Sequence, residues 1–144
     1  MLSRIALRLI VVMMALGYAG TALGQDKVHS YFNDTAIKVK ATESPAQKRE
    51  ILTKNLDDMI KAIDTVKGAA LTSEQDDVKL DHVKMTLQEK RDELAGLNGF
   101  DRVPDDQLNA FSTYIVQDME QADRTITISL VVALLIIIII ILIA

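Results

Sequence analysis

The sequence contains no cysteine and no tryptophan among its 144 residues, and it has only three phenylalanines and three tyrosines. Without cysteine the chain has no means of forming disulfides, thiolate nucleophiles, c-type haem attachments or a lipid-modified cysteine anchor. The shortage of aromatic side chains leaves few surfaces on which bases or sugars would stack. Thiol chemistry is therefore excluded, and any attachment to a membrane has to use other residues.

The sequence also lacks a cluster of basic residues. All 20 acidic residues and 14 of the 16 basic residues lie between Asp26 and Arg124, where the two signs are mixed. Nucleic-acid binding needs concentrated Lys and Arg to neutralise phosphates. We therefore predict no nucleic-acid partner.

Motifs of catalysis and metal binding are missing as well. The sequence has no Gly-x-Ser-x-Gly, no phosphate-binding glycine loop and no dinucleotide fingerprint. Its two histidines, His29 and His82, do not have the His-Glu-x-x-His spacing of zinc sites. Asp77 and Asp81 lie within a turn of His82, but this spacing is typical of a solvated helix face. We predict no enzymatic activity, no cofactor and no metal.

Residues 1–24 have the three parts of a secretory signal peptide. Arg4 and Arg8 form the positive start, Leu9 to Ala19 form an apolar stretch, and a small-x-small pattern precedes Gln25. The stretch of eleven residues is too short for a membrane span, which needs about 20. We predict cleavage before Gln25, with an uncleaved signal anchor as the alternative.

The C-terminal residues 126–144 carry no charge, and fifteen of these nineteen residues are Ile, Leu or Val. A helix of this length is about 28 Å long, close to the roughly 30 Å thickness of the hydrocarbon core. A helix that is apolar on every side has more apolar surface than the rest of so short a chain can cover. The sequence therefore predicts a single transmembrane helix at residues 126–144.

A signal peptide followed by a C-terminal span predicts a single-pass protein whose soluble domain lies on the periplasmic or extracellular side. Two other topologies are open. Arg124 on the outer flank of the span would suit a tail-anchored cytosolic domain. Ser112 and Thr113 lie at a suitable distance for a GPI attachment signal, although Tyr114 is not the small third residue that such a signal requires.

Two helix starts predict a helical hairpin in the middle of the chain. Ser44, Pro45 and Gln47 form a capping box with proline at the first helical position. Ser73 begins a second helix in the same way. In both helices the apolar residues recur every three or four positions, as in helices that pack with their axes nearly aligned. These residues are Leu52, Leu56, Met59, Ile63 and Val66 in the first helix, with Ala70 just past its end, and Leu80, Val83, Leu87, Leu94 and Leu97 in the second.

The predicted ends of these helices are Gly68 and Asn98-Gly99. Lys90 is the one residue that interrupts the apolar series of the second helix. The short connection between the helices predicts that they pack as antiparallel neighbours.

A further helix is predicted after Pro104, where Asp105 and Asp106 suit the positive end of a helix dipole. No helix breaker follows before the apolar tail, so we predict one long helix that runs from the bundle into the membrane. Residues 25–43 fit a helix better than a short strand. The fold class is therefore all-α, a small three- or four-helix bundle that continues into a C-terminal transmembrane helix.

These features predict a membrane-anchored, extracytoplasmic helical interaction module that binds another envelope protein or itself. Thr125, Ser129 and Ala133 recur every four residues and predict a close helix–helix contact in the membrane. The alternative function is binding of a small ligand or metal ion by the acidic region from Asp92 to Asp106, because carboxylates are the ligands that calcium prefers.

Overall fold

The computed structural model describes residues 25–69, 72–125 and 130–143, and all regular secondary structure within them is helical. The predicted signal peptide, residues 1–24, lies outside the described residues. The predicted all-helical fold class is confirmed. The helices are α1 (Gln25–Ala41), α2 (Pro45–Gly68), α3 (Glu74–Ala95), a 3₁₀ turn (Asp105–Gln107), α4 (Leu108–Thr125) and α5 (Leu130–Ile143).

Both predicted serine caps are confirmed. Ser44 Oγ accepts a hydrogen bond from the backbone N–H of Gln47 at 3.4 Å, and Pro45 is the first helical residue of α2. Ser73 Oγ accepts from the N–H of Asp76 at 3.2 Å at the start of α3. Each bond satisfies one of the N–H groups that a helix start leaves unpaired.

The end of α3 differs from the predicted one. Gly96, with φ of 74°, is the left-handed C-cap, so the helix stops before Asn98 and Gly99. The N–H of Leu97 donates back to the carbonyl of Asp92 at 2.9 Å, and Leu97 is 52% exposed rather than part of the core. A Cβ atom on Gly96 would lie 2.8 Å from the backbone nitrogen of Arg102, so the close return of the chain also requires glycine here.

The bundle is built from two antiparallel helix pairs. In the predicted hairpin, Arg91 of α3 binds Asp57 of α2 at 2.9 Å, and Lys84 binds Asp64 at 2.6 Å. The second pair is α1 with α4, whose apolar faces form extensive contacts. The core residues of this pair are Val28, Phe32, Ala36 and Val39 in α1, and Leu108, Phe111, Ile115 and Met119 in α4.

The prediction that the last bundle helix continues as one rod into the apolar tail is wrong. Lys48 Nζ donates to Asn109 Oδ1 at 2.9 Å, so α4 begins beside the N-terminal end of α2. At about 1.5 Å per residue, a straight continuation of α4 would carry Leu130 past the C-terminal end of α2. The helix α5 instead packs against α2 and α1. It therefore does not follow the axis of α4.

The helices within residues 25–69, 72–125 and 130–143 include none that is both long enough and apolar enough to cross a membrane. The helix α5 covers 14 residues of the predicted span, residues 126–144. The remaining positions of that span, 126–129 and 144, lie outside the described residues.

Candidate functional site

Among the described helices, α5 alone has no polar side chain, from Leu130 to Ile143. An amphipathic helix directs its apolar stripe to the core and its polar residues to water. Since α5 has no polar residues, packing on one side necessarily leaves an apolar surface on the other. The distribution of burial around this helix therefore defines the candidate site.

One side of α5 is packed into the bundle, and we call it the inward face. Its residues are Val132, Ala133, Ile136 and Ile140, all of them buried and part of the same hydrophobic core as α1 to α4. Ala133 has no exposed surface. The contacts of α5 are with α2 and, less extensively, with α1.

The opposite side of α5 carries an outward stripe of four aliphatic residues: Leu134, Ile138, Ile141 and Leu142. At 100° per residue these positions lie about 180° around the helix from the inward face. Leu142 is 67% exposed, and the other three are only partly buried. Contiguous exposed apolar surface of this kind is typical of contacts with a protein partner or a lipid bilayer.

The small-residue series predicted for contact in the membrane is divided in this structure. Thr125 is the last residue of α4, Ser129 lies outside the described residues, and Ala133 belongs to the inward face. The small side chain of Ala133 thus lies against the protein's own bundle. Pairing through these three residues stays a prediction.

A polar feature of the bundle surrounds Lys90. In the sequence this lysine appears only as an interruption of the apolar series of α3. Its side chain is 3% exposed, and Nζ lies 2.8 Å from Asp118 Oδ2 and 3.4 Å from Glu93 Oε2. The same ammonium lies 3.6 Å from the centre of the Tyr114 ring. Asp118 and Tyr114 belong to α4, so this Lys90 cluster connects α3 to α4.

The Lys90 cluster determines the charge state of the lysine. Burial on its own would lower the pKa of Lys90. The hydrogen bond to Asp118, the contact with Tyr114 and the negative charges of Asp118 and Glu93 outweigh burial and raise it. All the partners of this ammonium come from the bundle itself, so the cluster is an internal connection between helices.

Two carboxylates of the acidic region from Asp92 to Asp106 are paired with side chains of the protein itself. Asp92 accepts a hydrogen bond from Asn98 at 2.8 Å, and Asp105 binds Arg49 at 2.9 Å. The hydrogen bond from Arg49 holds the pKa of Asp105 below its usual value. In the part of the chain that the structure describes, no group of three His, Asp or Glu residues could hold a metal ion.

The residues around the two histidines are engaged in contacts within the protein. Thr72 donates to Asp77, and Lys67 donates to Asp81, near the exposed His82. His29 Nε2 lies 2.9 Å from Glu120 Oε1 and brings α1 against α4. This is a close contact without the alignment of a hydrogen bond, since Nε2 has no hydrogen-bond partner.

The surface of α3 that faces away from the core also exposes apolar side chains. Val78 and Met85 are seven residues apart on this face, with His82 between them, and Met85 is 65% exposed. The three residues lie on one side of the helix because seven residues make nearly two turns. We call these three residues the α3 strip. Val78 and Met85 give it a narrow apolar surface between acidic and basic side chains.

The sequence matches no protein family model, no curated protein and no solved structure. Its function therefore has to be inferred from its own residues and their arrangement.

Proposed function

We propose that this protein is a non-catalytic helical interaction module held at a membrane by its apolar C-terminal segment, with the bundle on the extracytoplasmic side. The observation that carries the proposal is the outward stripe of α5. Leu134, Ile138, Ile141 and Leu142 form an apolar surface that the bundle leaves partly uncovered. Hydrocarbon chains of a bilayer would cover that surface without needing any specific partner.

The strength of membrane attachment follows from the composition of α5. Thirteen of its 14 residues are Ile, Leu or Val, each worth about 0.3 to 0.6 kcal/mol at the centre of a span. Insertion of this segment would therefore yield at most about 4 to 8 kcal/mol. Such a gain is sufficient to hold the chain at a bilayer, and the apolar residues at 126 and 128 would add to it.

The sidedness of the bundle is supported by residues 1–24, which have the composition of a signal peptide. The interaction role is supported by the α3 strip, whose Val78 and Met85 present apolar atoms on the surface. Another envelope protein or a second copy of this chain would bind there. A cross-linking experiment in intact cells, followed by mass spectrometry, would identify that partner.

Sidedness has a direct test because the chain has no cysteine of its own. A Lys61→Cys variant would carry a single exposed thiol on the bundle, outside the α3 strip. In intact cells, a membrane-impermeant maleimide should label it as fully as in lysed cells. Labelling that appears only after lysis would place the bundle in the cytoplasm and contradict the proposal.

An Ala62→Cys variant is the matched control, because Ala62 has no exposed surface. Its thiol should react only after denaturation, in intact and lysed cells alike. Membrane attachment is measured on the same preparations: the unlabelled full chain should float with lipid vesicles and resist extraction at alkaline pH.

A further inference from the structure

We propose that α5 exchanges between two apolar environments, the surface of α2 and α1 in water and the interior of a bilayer, so that membrane insertion uncovers this surface of the bundle. The inference rests on the proposed membrane attachment. It concerns how that attachment is regulated. The structure contains the state in which α5 lies against the bundle.

The helix α5 cannot be in both environments at once, because its inward face is covered either by the bundle or by lipid. Ala133 and Ile136 are fully buried against the bundle, so lipid has no access to them in the docked state. A hydrocarbon core of roughly 30 Å needs about 20 residues to span it. Insertion would therefore use the whole of residues 126–144, and no part of α5 would remain on α2.

The contact between α5 and the bundle is of a kind that can break and form again. No side chain of α5 can form an ion pair or a hydrogen bond, since all are aliphatic. The contribution of these side chains to docking is therefore apolar burial, and hydrocarbon satisfies the same side chains equally well. In the docked state three large residues of the inward face are buried, while the outward stripe remains available for the first contact with lipid.

The other helices have connections that do not depend on α5. Arg91 and Lys84 join α3 to α2, the Lys90 cluster joins α3 to α4, and His29 contacts Glu120 between α1 and α4. These contacts would persist when α5 leaves. The four-helix remainder then presents to water the apolar surface of α2 and α1 that α5 had covered.

The test compares variants of the full chain that act on opposite faces of α5. Ala133→Leu overpacks the inward face, and Ile136→Ala removes part of it, so both should weaken docking. Leu142→Ala changes only the outward stripe. Partition of each variant into phosphatidylcholine vesicles is measured by flotation over a series of lipid concentrations.

We expect Ala133→Leu to raise the partition coefficient about tenfold, because it removes the competing docked state while keeping the tail apolar. Ile136→Ala should raise it less, since the shorter side chain also inserts less well. Leu142→Ala should lower it about two- to threefold, the loss expected for one aliphatic side chain.

Far-UV circular dichroism and thermal melting in water identify which variants keep the bundle, and Ile136→Ala provides the measurement if Ala133→Leu does not fold. If both inward variants bind vesicles no better than the original chain while Leu142→Ala still binds less, α5 stays docked and the exchange is refuted, but membrane attachment stands. If the original chain and all variants fail to bind vesicles, both proposals are wrong.

Discussion

The helices α1 to α4 and the helix α5 are stabilised by different kinds of interaction. Each of the first four has a polar side that faces water, and caps or ion pairs fix where α2 and α3 begin and how they meet. The helix α5 has no polar side and is held by apolar contacts on one face. Directional polar contacts specify one arrangement, whereas apolar burial is satisfied by any apolar environment.

This difference explains why α5 is the element whose position depends on surroundings. Burial of Val132, Ile136 and Ile140 on the bundle is worth about 1.5 to 3 kcal/mol for each side chain, or roughly 4.5 to 9 kcal/mol in total. Insertion into lipid offers a gain of similar size. The gain of α5 in lipid is thus comparable with its own burial on the bundle, and the cost of uncovering the apolar surface of α2 and α1 sets how far a membrane drives the exchange.

The largest expected effect is a difference in the free energy of unfolding between a substitution in the core of α2 and one on the outward stripe of α5. Leu56→Ala removes a side chain with no exposed surface in the centre of α2 and should lower the free energy of unfolding by about 2 to 5 kcal/mol. Ile138→Ala on the outward stripe is the control and should change it by less than about 1 kcal/mol. Urea denaturation of the full chain in water measures both. Equal losses would mean that the outward stripe is covered in solution.

A smaller effect is expected at the Lys90 cluster. Lys90→Met keeps the volume but leaves Asp118 and Glu93, which are 26% and 20% exposed, without their cation. Because water reaches both carboxylates, we expect a loss of about 1 to 3 kcal/mol, less than for a fully buried pair. Lys84→Met, which breaks a more exposed pair with Asp64, should cost at most about 1 kcal/mol.

The same pair of variants gives a pH dependence. Since the folded-state pKa of Lys90 is raised above the ordinary value of 10.5, its contribution is complete below that pH and is lost as the pH rises through the raised value. The original chain should lose stability above pH 10.5, and Lys90→Met should lose less. If thermal melts show the same alkaline loss in both proteins, Lys90 does not contribute to it.

The smallest effect concerns the serine caps at the starts of α2 and α3. Ser73→Ala removes the acceptor for the N–H of Asp76 and should cost about 1 kcal/mol. Ser73→Asp should retain most of the stability because its carboxylate also accepts that bond. Thermal melting compares the three proteins. An unchanged midpoint for Ser73→Ala would show that water replaces the cap without cost.

Much of the bundle was predictable from local chemistry. The starts of α2 and α3 followed from Ser44 and Ser73 because a cap is a contact between residues three positions apart. The end of α3 was misplaced because two candidate stops, Gly96 and Asn98-Gly99, lie close together in the sequence. The return of Arg102 against Gly96, which favours the earlier stop, is a contact between residues in different parts of the turn.

The Lys90 cluster was only partly visible in the sequence. The sequence shows a lysine at an apolar position of α3, but its partners Tyr114 and Asp118 are more than twenty residues away on α4. Pairing over such a distance depends on the packing of two helices. The spacing of residues within either helix does not contain that information.

From the amino-acid sequence alone it follows that the chain is helical, that α2 and α3 are adjacent and begin at serine caps, and that the C-terminal segment is apolar on every side. These properties depend on local spacing, on short connections and on composition. The place of that segment is visible only in the packed bundle, where Ala133 is buried on α2 and α1 and Leu142 is exposed. The physical reason is that an entirely aliphatic helix has no polar side chain to orient it, so its position is set by whichever apolar surface is available.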